Sequence, residues 1–196
     1  MEQEILTFNY PMPNQLFIIT GPSGVGKTTV GTEILKQMPN LQKVVTYTTR
    51  KPRPNEHDGV DYNFISVEEF LNRRSGGDFF EHAENYGNFY GNSRNDLEKI
   101  WADGKIVMMI VDVKGAKTIR NFFPQSKTIF ISPDSADNLA KRIRQRPMSD
   151  EAFTDRWAEV SEELAYADLC DFNVVNGEGE LGQTVAAVKI YIEQNS

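Results

Sequence analysis

The fold is decided by the stretch Leu16-Phe17-Ile18-Ile19-Thr20-Gly21-Pro22-Ser23-Gly24-Val25-Gly26-Lys27-Thr28. Its apolar beginning predicts a buried strand, and apolar residues recur at helical spacing from Lys27 to Met38. Between these elements, residues 21–28 satisfy the pattern G-x-x-x-x-G-K-[ST] in full. The pattern and its strand–loop–helix setting together predict a phosphate-binding loop.

Each part of this loop has a physical purpose. The glycines let backbone N–H groups surround an anion, and the N-terminus of the following helix adds the positive end of its dipole. In this pattern the ammonium of Lys27 reaches the β- and γ-phosphates of a nucleotide, and the hydroxyl of Thr28 ligates Mg²⁺. We therefore expect a nucleoside triphosphate as a ligand and Mg²⁺ as the cofactor.

The alternation of strand and helix returns in the second half of the chain. Apolar runs predict strands at 106–111, 128–131 and 172–175, and helical spacing predicts helices at 113–123, 135–145 and 181–192. Apolar strands that alternate with helices indicate a parallel sheet covered on both faces. The predicted fold class is α/β, with a P-loop NTPase-type parallel sheet flanked by helices.

The alternation of predicted strands and helices is interrupted between residues 46 and 104. Pro52, Pro54 and Gly59 mark turns, and short aromatic segments flank a predicted helix at 67–74. We interpret this region as a small mixed α/β insert on the core. Residues 1–14 are expected to form a loose arm.

Length and composition favour one domain over residues 1–196, because 39% of the residues are hydrophobic and 25% are charged. The single cysteine, Cys170, excludes an intrachain disulfide and is expected to be a buried apolar residue. The apolar runs are too short to span a bilayer, and the acidic first residues are unlike a secretion signal. We expect a cytoplasmic protein with no membrane partner.

The net charge of −7 argues against non-specific binding of nucleic acid, which needs a basic surface. An anionic ligand must instead meet local clusters of positive charge. The sequence has two such clusters, one at 50–53 and one at 141–146.

Several motifs, in their order and approximate spacing, resemble the guanylate kinase family. Besides the loop at 21–29, they are Thr48-Thr49-Arg50-Lys51-Pro52-Arg53, Gly59-Val60-Asp61-Tyr62-Asn63-Phe64, Phe80-Glu81, Asn88-Phe89-Tyr90-Gly91, Val111-Asp112-Val113-Lys114-Gly115-Ala116 and Asn173-Val174-Val175-Asn176. The resemblance covers about residues 15–195 and implies ATP-dependent phosphorylation of GMP to GDP. It also implies a core of 15–45, 105–138 and 159–196, a monophosphate-binding insert at 46–104 and a helical lid at 139–158.

The resemblance assigns roles residue by residue. GMP is expected to contact Thr46, Arg50, Arg53, Tyr62, Glu81, Tyr90, Asn92 and Asp112. Guanidinium groups bind phosphate oxygens bidentately, which suits Arg50 and Arg53 to the acceptor phosphate. A carboxylate such as Glu81 suits the two adjacent donors on the edge of guanine.

For ATP, the resemblance implies contacts from Gly21, Pro22, Ser23, Gly24, Val25, Gly26, Lys27, Thr28, Thr29 and Asn176. Lys27 and the lid arginines Arg142, Arg146 and Arg156 are the implied catalytic residues, and Asp112 would reach the metal through water. Positive charge there would compensate the oxygens of the transferring phosphate. No general base is needed, so His57 and His82 are expected to be bystanders.

Some positions depart from the family pattern. Asn92 stands where the family usually has Ser or Thr, Ile110 replaces the first carboxylate of an Asp-x-Asp pair, and Lys114 replaces the usual Gln. Pro147 removes a backbone donor in the lid. Asn55 replaces a common Gly, a milder change because Asn tolerates left-handed torsions.

Three alternatives remain open. A P-loop GTPase would explain the D-x-x-G element at 112–115, but no Asn-Lys-x-Asp motif follows it. A non-catalytic guanylate-kinase-like interaction module would be expected to lose the loop lysine, which is present here. A related kinase for another phosphorylated acceptor is suggested by Asn92 and Ile110, whereas Glu81 and Thr46 argue for guanine. The expected partners are ATP and GMP, in a monomer or homodimer.

Overall fold

The chain folds into two β-sheets and their flanking helices. A computed structural model describes residues 15–85, 87–145 and 148–196. The strands are β1 (Leu16–Thr20), β2 (Leu41–Lys43), β3 (Tyr47–Thr48), β4 (Asn63–Phe64), β5 (Phe79–Asn85), β6 (Asn88–Ser93), β7 (Ile106–Ile110), β8 (Lys127–Pro133) and β9 (Phe172–Asn176). The helices are α1 (Lys27–Gln37), α2 (Val67–Ser75), α3 (Arg94–Ala102), α4 (Val113–Phe122), α5 (Ala136–Arg144), α6 (Asp150–Ala165) and α7 (Leu181–Gln194), with a 3-10 turn at Tyr166–Leu169.

The larger sheet has the strand order β2-β7-β1-β8-β9, and all of its neighbouring strands are parallel. Strand β1 lies at its centre and is buried on both faces: Phe17 and Ile19 pack with α1, α5 and α7, whereas Leu16 and Ile18 pack with α3 and α4. A strand enclosed in this way must be apolar throughout. The predicted α/β fold with a parallel sheet covered on both faces is confirmed.

The smaller sheet has the order β4-β3-β6-β5 and is mixed, because β3 runs parallel to β4 and antiparallel to β6. Helix α2 covers it through Phe70, whose ring lies 4.7 Å from that of Phe79 and 5.3 Å from that of Phe89. The register of β5 shifts between Phe79 and Glu81. This irregularity sets Glu81 opposite Asn92 across the sheet.

Some elements were not predicted from the sequence. The short strands β2 and β3 depend on partners far along the chain, as in the pairing of Lys43 with Met108. Helix α6 begins at Asp150 and is capped by Ser149, whose side chain accepts a hydrogen bond from the backbone N–H of Ala152. Across the described ranges, the structure contains no helix with the length and apolar character that a membrane span requires.

Candidate active site

The phosphate-binding loop joins β1 to α1 at the carboxyl edge of the larger sheet. Gly26, the residue before α1, has a φ of 103°, which side-chain-bearing residues rarely adopt. A Cβ at this position would lie 2.6 Å from Nδ2 of Asn176. Glycine is therefore required here both by the backbone and by the close approach of β9.

Two side chains hold this loop in shape. Nζ of Lys27 donates to the carbonyl oxygens of Gly21 at 2.7 Å and Pro22 at 3.0 Å. Nδ2 of Asn176 donates to the carbonyl oxygen of Val25 at 2.8 Å. Lys27 is thus folded back onto the loop, and Asn176 supports the loop from the neighbouring strand.

A cleft of about 680 Å³ lies between this loop and the smaller sheet. It brings together most residues of the predicted site: Ser23, Gly24, Val25, Gly26, Lys27, Thr28, Thr29, Thr46, Arg50, Arg53, Tyr62, Glu81, Tyr90, Asn92, Asp112, Arg142, Arg156 and Asn176. Gly21 and Pro22 do not line the cleft but contact Lys27 instead. Arg146 and Pro147 lie outside the described residues, as do residues 1–14, so the predictions made for them stay predictions.

At one end of the cleft, two arginines meet two tyrosines. The guanidinium of Arg50 lies 5.3 Å from the ring centroid of Tyr62, and the rings of Tyr62 and Tyr90 are 6.2 Å apart. Burial raises the pKa of Tyr62 above its ordinary value, so its hydroxyl keeps its proton at neutral pH. Together with Arg53, these groups form a cluster of hydrogen-bond donors suited to an anion.

Next to this cluster lies a chain of buried polar side chains. Oγ1 of Thr46 donates to Oδ1 of Asn92 at 2.9 Å, and Nδ2 of Asn92 donates to Oε2 of Glu81 at 2.7 Å. Glu81 is only 5% exposed. Burial raises the pKa of its carboxyl to about 7, a rise that the Asn92 hydrogen bond opposes and the nearby charge of Asp112 assists.

Asp112 precedes α4 and caps it. Its Oδ1 accepts from the backbone N–H of Gly115 at 2.7 Å, while Oδ2 accepts from Nδ2 of Asn85 at the end of β5. This second hydrogen bond ties the smaller sheet to the larger one. Asp112 therefore lies at the junction of the two sheets, close to Glu81.

The described part of the chain includes two of the three predicted lid arginines. Both lie at the end of the cleft that is formed by the phosphate-binding loop. Nη1 of Arg142 donates to the carbonyl oxygen of Asn176 at 3.0 Å. Nη1 of Arg156 lies 3.4 Å from Oγ of Ser23 in the loop. Helix α5 ends at Arg144, one residue earlier than predicted.

The sequence analysis missed Glu163, one of the carboxylates that line the cleft, and Glu56, which contacts an arginine of the cleft. Glu163 on α6 accepts from the backbone N–H of Ser23, and burial raises its pKa against the opposing charge of Lys27. Glu56 bonds to Arg50. Glu163 lies seven residues after Arg156, so the two side chains share one face of the helix. This spacing was a sequence signal that could have placed Glu163 near the site.

The remaining predictions concern residues away from the cleft. Neither His57 nor His82 lines it, and the bystander role predicted for them stays a prediction. Cys170 is half-buried rather than fully buried, and its Sγ donates to the carbonyl oxygen of Tyr166 at 3.3 Å. Burial raises the pKa of its thiol to about 12, which makes it a poor nucleophile.

Comparison with known proteins decides the family. The guanylate kinase family model matches residues 13–195. The chain belongs to the guanylate kinase family. A guanylate kinase of Thermosynechococcus vestitus is 42% identical over 176 residues, which are 89% of this chain and 92% of that protein. One from Symbiobacterium thermophilum is 39% identical over 186 residues, 92% of this chain and 87% of that protein.

Solved structures agree with this membership. The crystal structure of guanylate kinase from Anaplasma phagocytophilum matches with a TM-score of 0.73 and 27% identity, covering 92% of this chain and 85% of that one. A shikimate kinase from Bacteroides thetaiotaomicron matches with a TM-score of 0.51 and 14% identity over 91% of this chain and 98% of that one, a likeness of fold alone. The family that the motifs indicated is therefore confirmed.

Proposed function

We propose that this protein transfers the γ-phosphoryl group of ATP to GMP, giving ADP and GDP. The observation that carries the proposal is the sharing of one cleft by the phosphate-binding loop and the buried chain Thr46–Asn92–Glu81. The assignment of the protein as a P-loop GTPase would leave this buried polar chain beside the phosphate-binding loop unexplained. Membership in the guanylate kinase family supports the same reaction.

The loop end of the cleft would bind ATP. The backbone N–H groups of the loop and the start of α1 favour a triphosphate, and Lys27 would leave the carbonyl oxygens of Gly21 and Pro22 to reach it. Asn176 would keep the loop in shape while it binds. We therefore propose residues 23–29 and Asn176 as the direct ATP contacts. Gly21 and Pro22 would contribute by forming the part of the loop whose carbonyl oxygens accept from Lys27.

The donor set fits Mg²⁺ that arrives with the nucleotide. Within the described ranges, no group of three or more His, Cys, Asp or Glu side chains could hold a metal ion. Mg²⁺ commonly takes one or two protein ligands and fills its other positions with phosphate oxygens and water. Thr28 would ligate it directly and Asp112 through water, and the ion would neutralise phosphate charge.

The other end of the cleft would bind GMP. Arg50, Arg53, Tyr62 and Tyr90 would hold its phosphate, since all four present donors to the cleft. Ionised Glu81 would accept from N1–H and the amino group of guanine. Adenine lacks this pair of donors, so the same carboxylate would select against AMP.

Transfer itself would rest on position and charge. The acceptor is an already ionised phosphate, so no side chain has to remove a proton from it. Arg142 and Arg156, with Arg146, would stabilise charge on the transferring group. We propose that the insert 46–104 and the lid 139–158 close on the core and exclude water, which limits hydrolysis.

A coupled assay of ADP release with MgATP tests this proposal. The acceptors are GMP, dGMP, AMP, CMP, UMP and a ribose bisphosphate, with a control that has no acceptor. We expect turnover with GMP to exceed that with AMP by at least about a hundredfold. Turnover only with another acceptor would show that Asn92 and Ile110 have changed the pocket, and no turnover at all would favour a binding module.

A further inference from the structure

Arg50 and Arg53, at the anion-binding end of the cleft, both contact Glu56, a carboxylate that does not itself line the cleft. Nη2 of Arg50 donates to both carboxylate oxygens of Glu56, each at 2.9 Å. The backbone N–H of Arg53 donates to Oε2 of Glu56 at 2.8 Å, and Nη1 of Arg53 lies 3.8 Å from Oε1. One carboxylate therefore contacts both of the arginines that are expected to hold the acceptor phosphate.

A tight turn delivers Glu56 to this position. The backbone N–H of Glu56 donates to the carbonyl oxygen of Arg53 at 3.1 Å, which closes a four-residue turn. Pro54 and Asn55 occupy its two central positions, and Asn55 has a φ of 68°. Proline followed by a residue with positive φ is the pattern of a type II turn. The sequence thus builds a rigid connection between Arg53 and the carboxylate that pairs with Arg50.

Arg50 needs a negative partner because it is largely removed from water. Its side chain is 13% exposed, and that of Glu56 is 16% exposed. Burial alone would lower the pKa of Arg50, but the hydrogen bond and charge of Glu56 outweigh that effect and raise the pKa above its ordinary value. Glu56 also offsets the repulsion between the guanidinium groups of Arg50 and Arg53.

Arg50 is fixed on its other sides as well. Its Nη1 donates to the carbonyl oxygen of Lys51 at 2.7 Å, and its guanidinium lies over the rings of Tyr62 and Phe64. The side chain is therefore held in one orientation before any ligand arrives. Such preorganisation lowers the entropic cost of binding an anion.

We propose that Glu56 is a positioning residue for the acceptor phosphate, acting through Arg50 and the turn at Arg53. It holds both arginines in place in the empty site, so that the phosphate of GMP meets a preassembled set of donors. Glu56 does not itself contact the phosphate. This inference rests on the proposed function, because it assigns the Arg50 and Arg53 cluster to the acceptor.

The test compares Glu56→Gln with a matched control, Glu69→Gln. Glu69 pairs with Arg73 at the same 2.9 Å distance in the same part of the chain, but Arg73, unlike Arg50 and Arg53, does not line the cleft. For Glu56→Gln we expect the KM for GMP to rise about tenfold, as for the loss of a charge-assisted hydrogen bond. We expect kcat and the KM for ATP to stay within about twofold, and Glu69→Gln to change none of the three.

A double-mutant cycle separates positioning from a general loss of structure. If Glu56 acts through the two arginines, Glu56→Gln should have a smaller effect on GMP affinity in an Arg50→Ala background and almost none when Arg50 and Arg53 are both replaced by Ala. Additive losses in both backgrounds would overturn the proposal, because Glu56 would then act without either arginine. An unchanged or lowered KM in Glu56→Gln would also overturn it, since the carboxylate would then be neutral or would compete with the phosphate.

Calorimetric binding of GMP distinguishes failure of this inference from failure of the proposed function. Absence of turnover in the unsubstituted protein would contradict the proposed reaction but leave GMP affinity measurable. Equal GMP affinity in the unsubstituted protein and Glu56→Gln would overturn the positioning role alone. If the unsubstituted protein did not bind GMP, both would be overturned.

Discussion

Asn92 donates a hydrogen bond from Nδ2 to Oε2 of the buried Glu81 at 2.7 Å. This bond fixes the orientation of the Asn92 carboxamide, because its Oδ1 accepts from Thr46 at the same time. It also supports the ionised form of Glu81, against the burial that raises the pKa of that carboxyl to about 7. We therefore expect the protonation of Glu81, at the end of the cleft proposed to bind the base, to change near neutral pH.

The first prediction concerns the pH dependence of GMP binding. If guanine presents its donors to Glu81 as proposed, GMP should bind the ionised carboxylate, while the protein without GMP should hold a proton there below about pH 7. The affinity for GMP should rise with pH up to about pH 7 and level off above it. The measurement is the KM for GMP between about pH 5.5 and about pH 8.

Glu81→Gln provides the control for this prediction, because the phosphate of GMP itself titrates near pH 6. The variant should bind GMP more weakly at every pH, and it should retain only the dependence that comes from the phosphate. A profile that is the same in the variant and the unsubstituted protein would show that Glu81 does not titrate in this range.

The second prediction concerns the packing of Ile110 against α1. A Cβ added at Gly31 would lie 2.4 Å from Cδ1 of Ile110. Gly31→Ala should change the free energy of unfolding by less than about 1 kcal/mol, because Cδ1 ends a side chain that can move and the cost of moving it offsets the gain in helix propensity. Ile110→Val removes Cδ1 and should relieve the clash. In chemical denaturation the double variant should be more stable than the sum of the single effects predicts, by about 1 kcal/mol. Strict additivity would contradict this pairing.

This pair also shows what the sequence could not supply. Ile110 was recognised as a departure from the family pattern, but its contact with Gly31 depends on how α1 lies on the sheet. The phosphate loop was predictable because strand, loop and helix are consecutive residues whose geometry is set locally. The parallel sheet was predictable because apolar strands alternate with helices.

Glu81 was indicated through the family resemblance, but the burial of Glu81 and the position of Glu163 were harder to predict, for the same physical reason. Glu81 is buried because β5 shifts its register beside it, and Glu163 meets Ser23 only after α6 packs beside the phosphate loop. Neither event is encoded in a short window of sequence. The turn that carries Glu56 could have been predicted, because Pro54-Asn55 is a typical turn sequence. The ion pair of Glu56 with Arg50 could not, because it depends on how that turn packs against Arg50.

The third prediction concerns the turn that carries Glu56. Asn55 has a φ of 68°, and an alanine in that conformation is strained by about 1–2 kcal/mol. Asn55→Ala should therefore destabilise the protein by about 1 kcal/mol and raise the KM for GMP. Asn55→Gly should keep the turn and leave the KM within about twofold of its original value. Equal KM values for both variants would show that the turn does not position the arginines.

The fourth prediction compares two lysines of α1. Lys27→Ala should reduce turnover by at least about a hundredfold, because the ammonium stabilises charge on the phosphates. Lys36→Ala is the matched control: Lys36 is exposed and pairs with Glu33 at 2.7 Å on the same helix. Its loss should change turnover by less than about twofold, since exposed pairs contribute little.

Calorimetry on the same two lysine variants locates the defect. Lys27 donates to Gly21 and Pro22 in the loop, at a distance from the Arg50 cluster, so Lys27→Ala should bind GMP with nearly unchanged affinity while its turnover is lost. Loss of GMP binding together with turnover would mean that the substitution disturbs the whole cleft. Among the described lysines, only Lys27 donates to the carbonyl oxygens of Gly21 and Pro22 in the loop. Near-normal turnover in Lys27→Ala would therefore contradict the assignment of this loop to ATP.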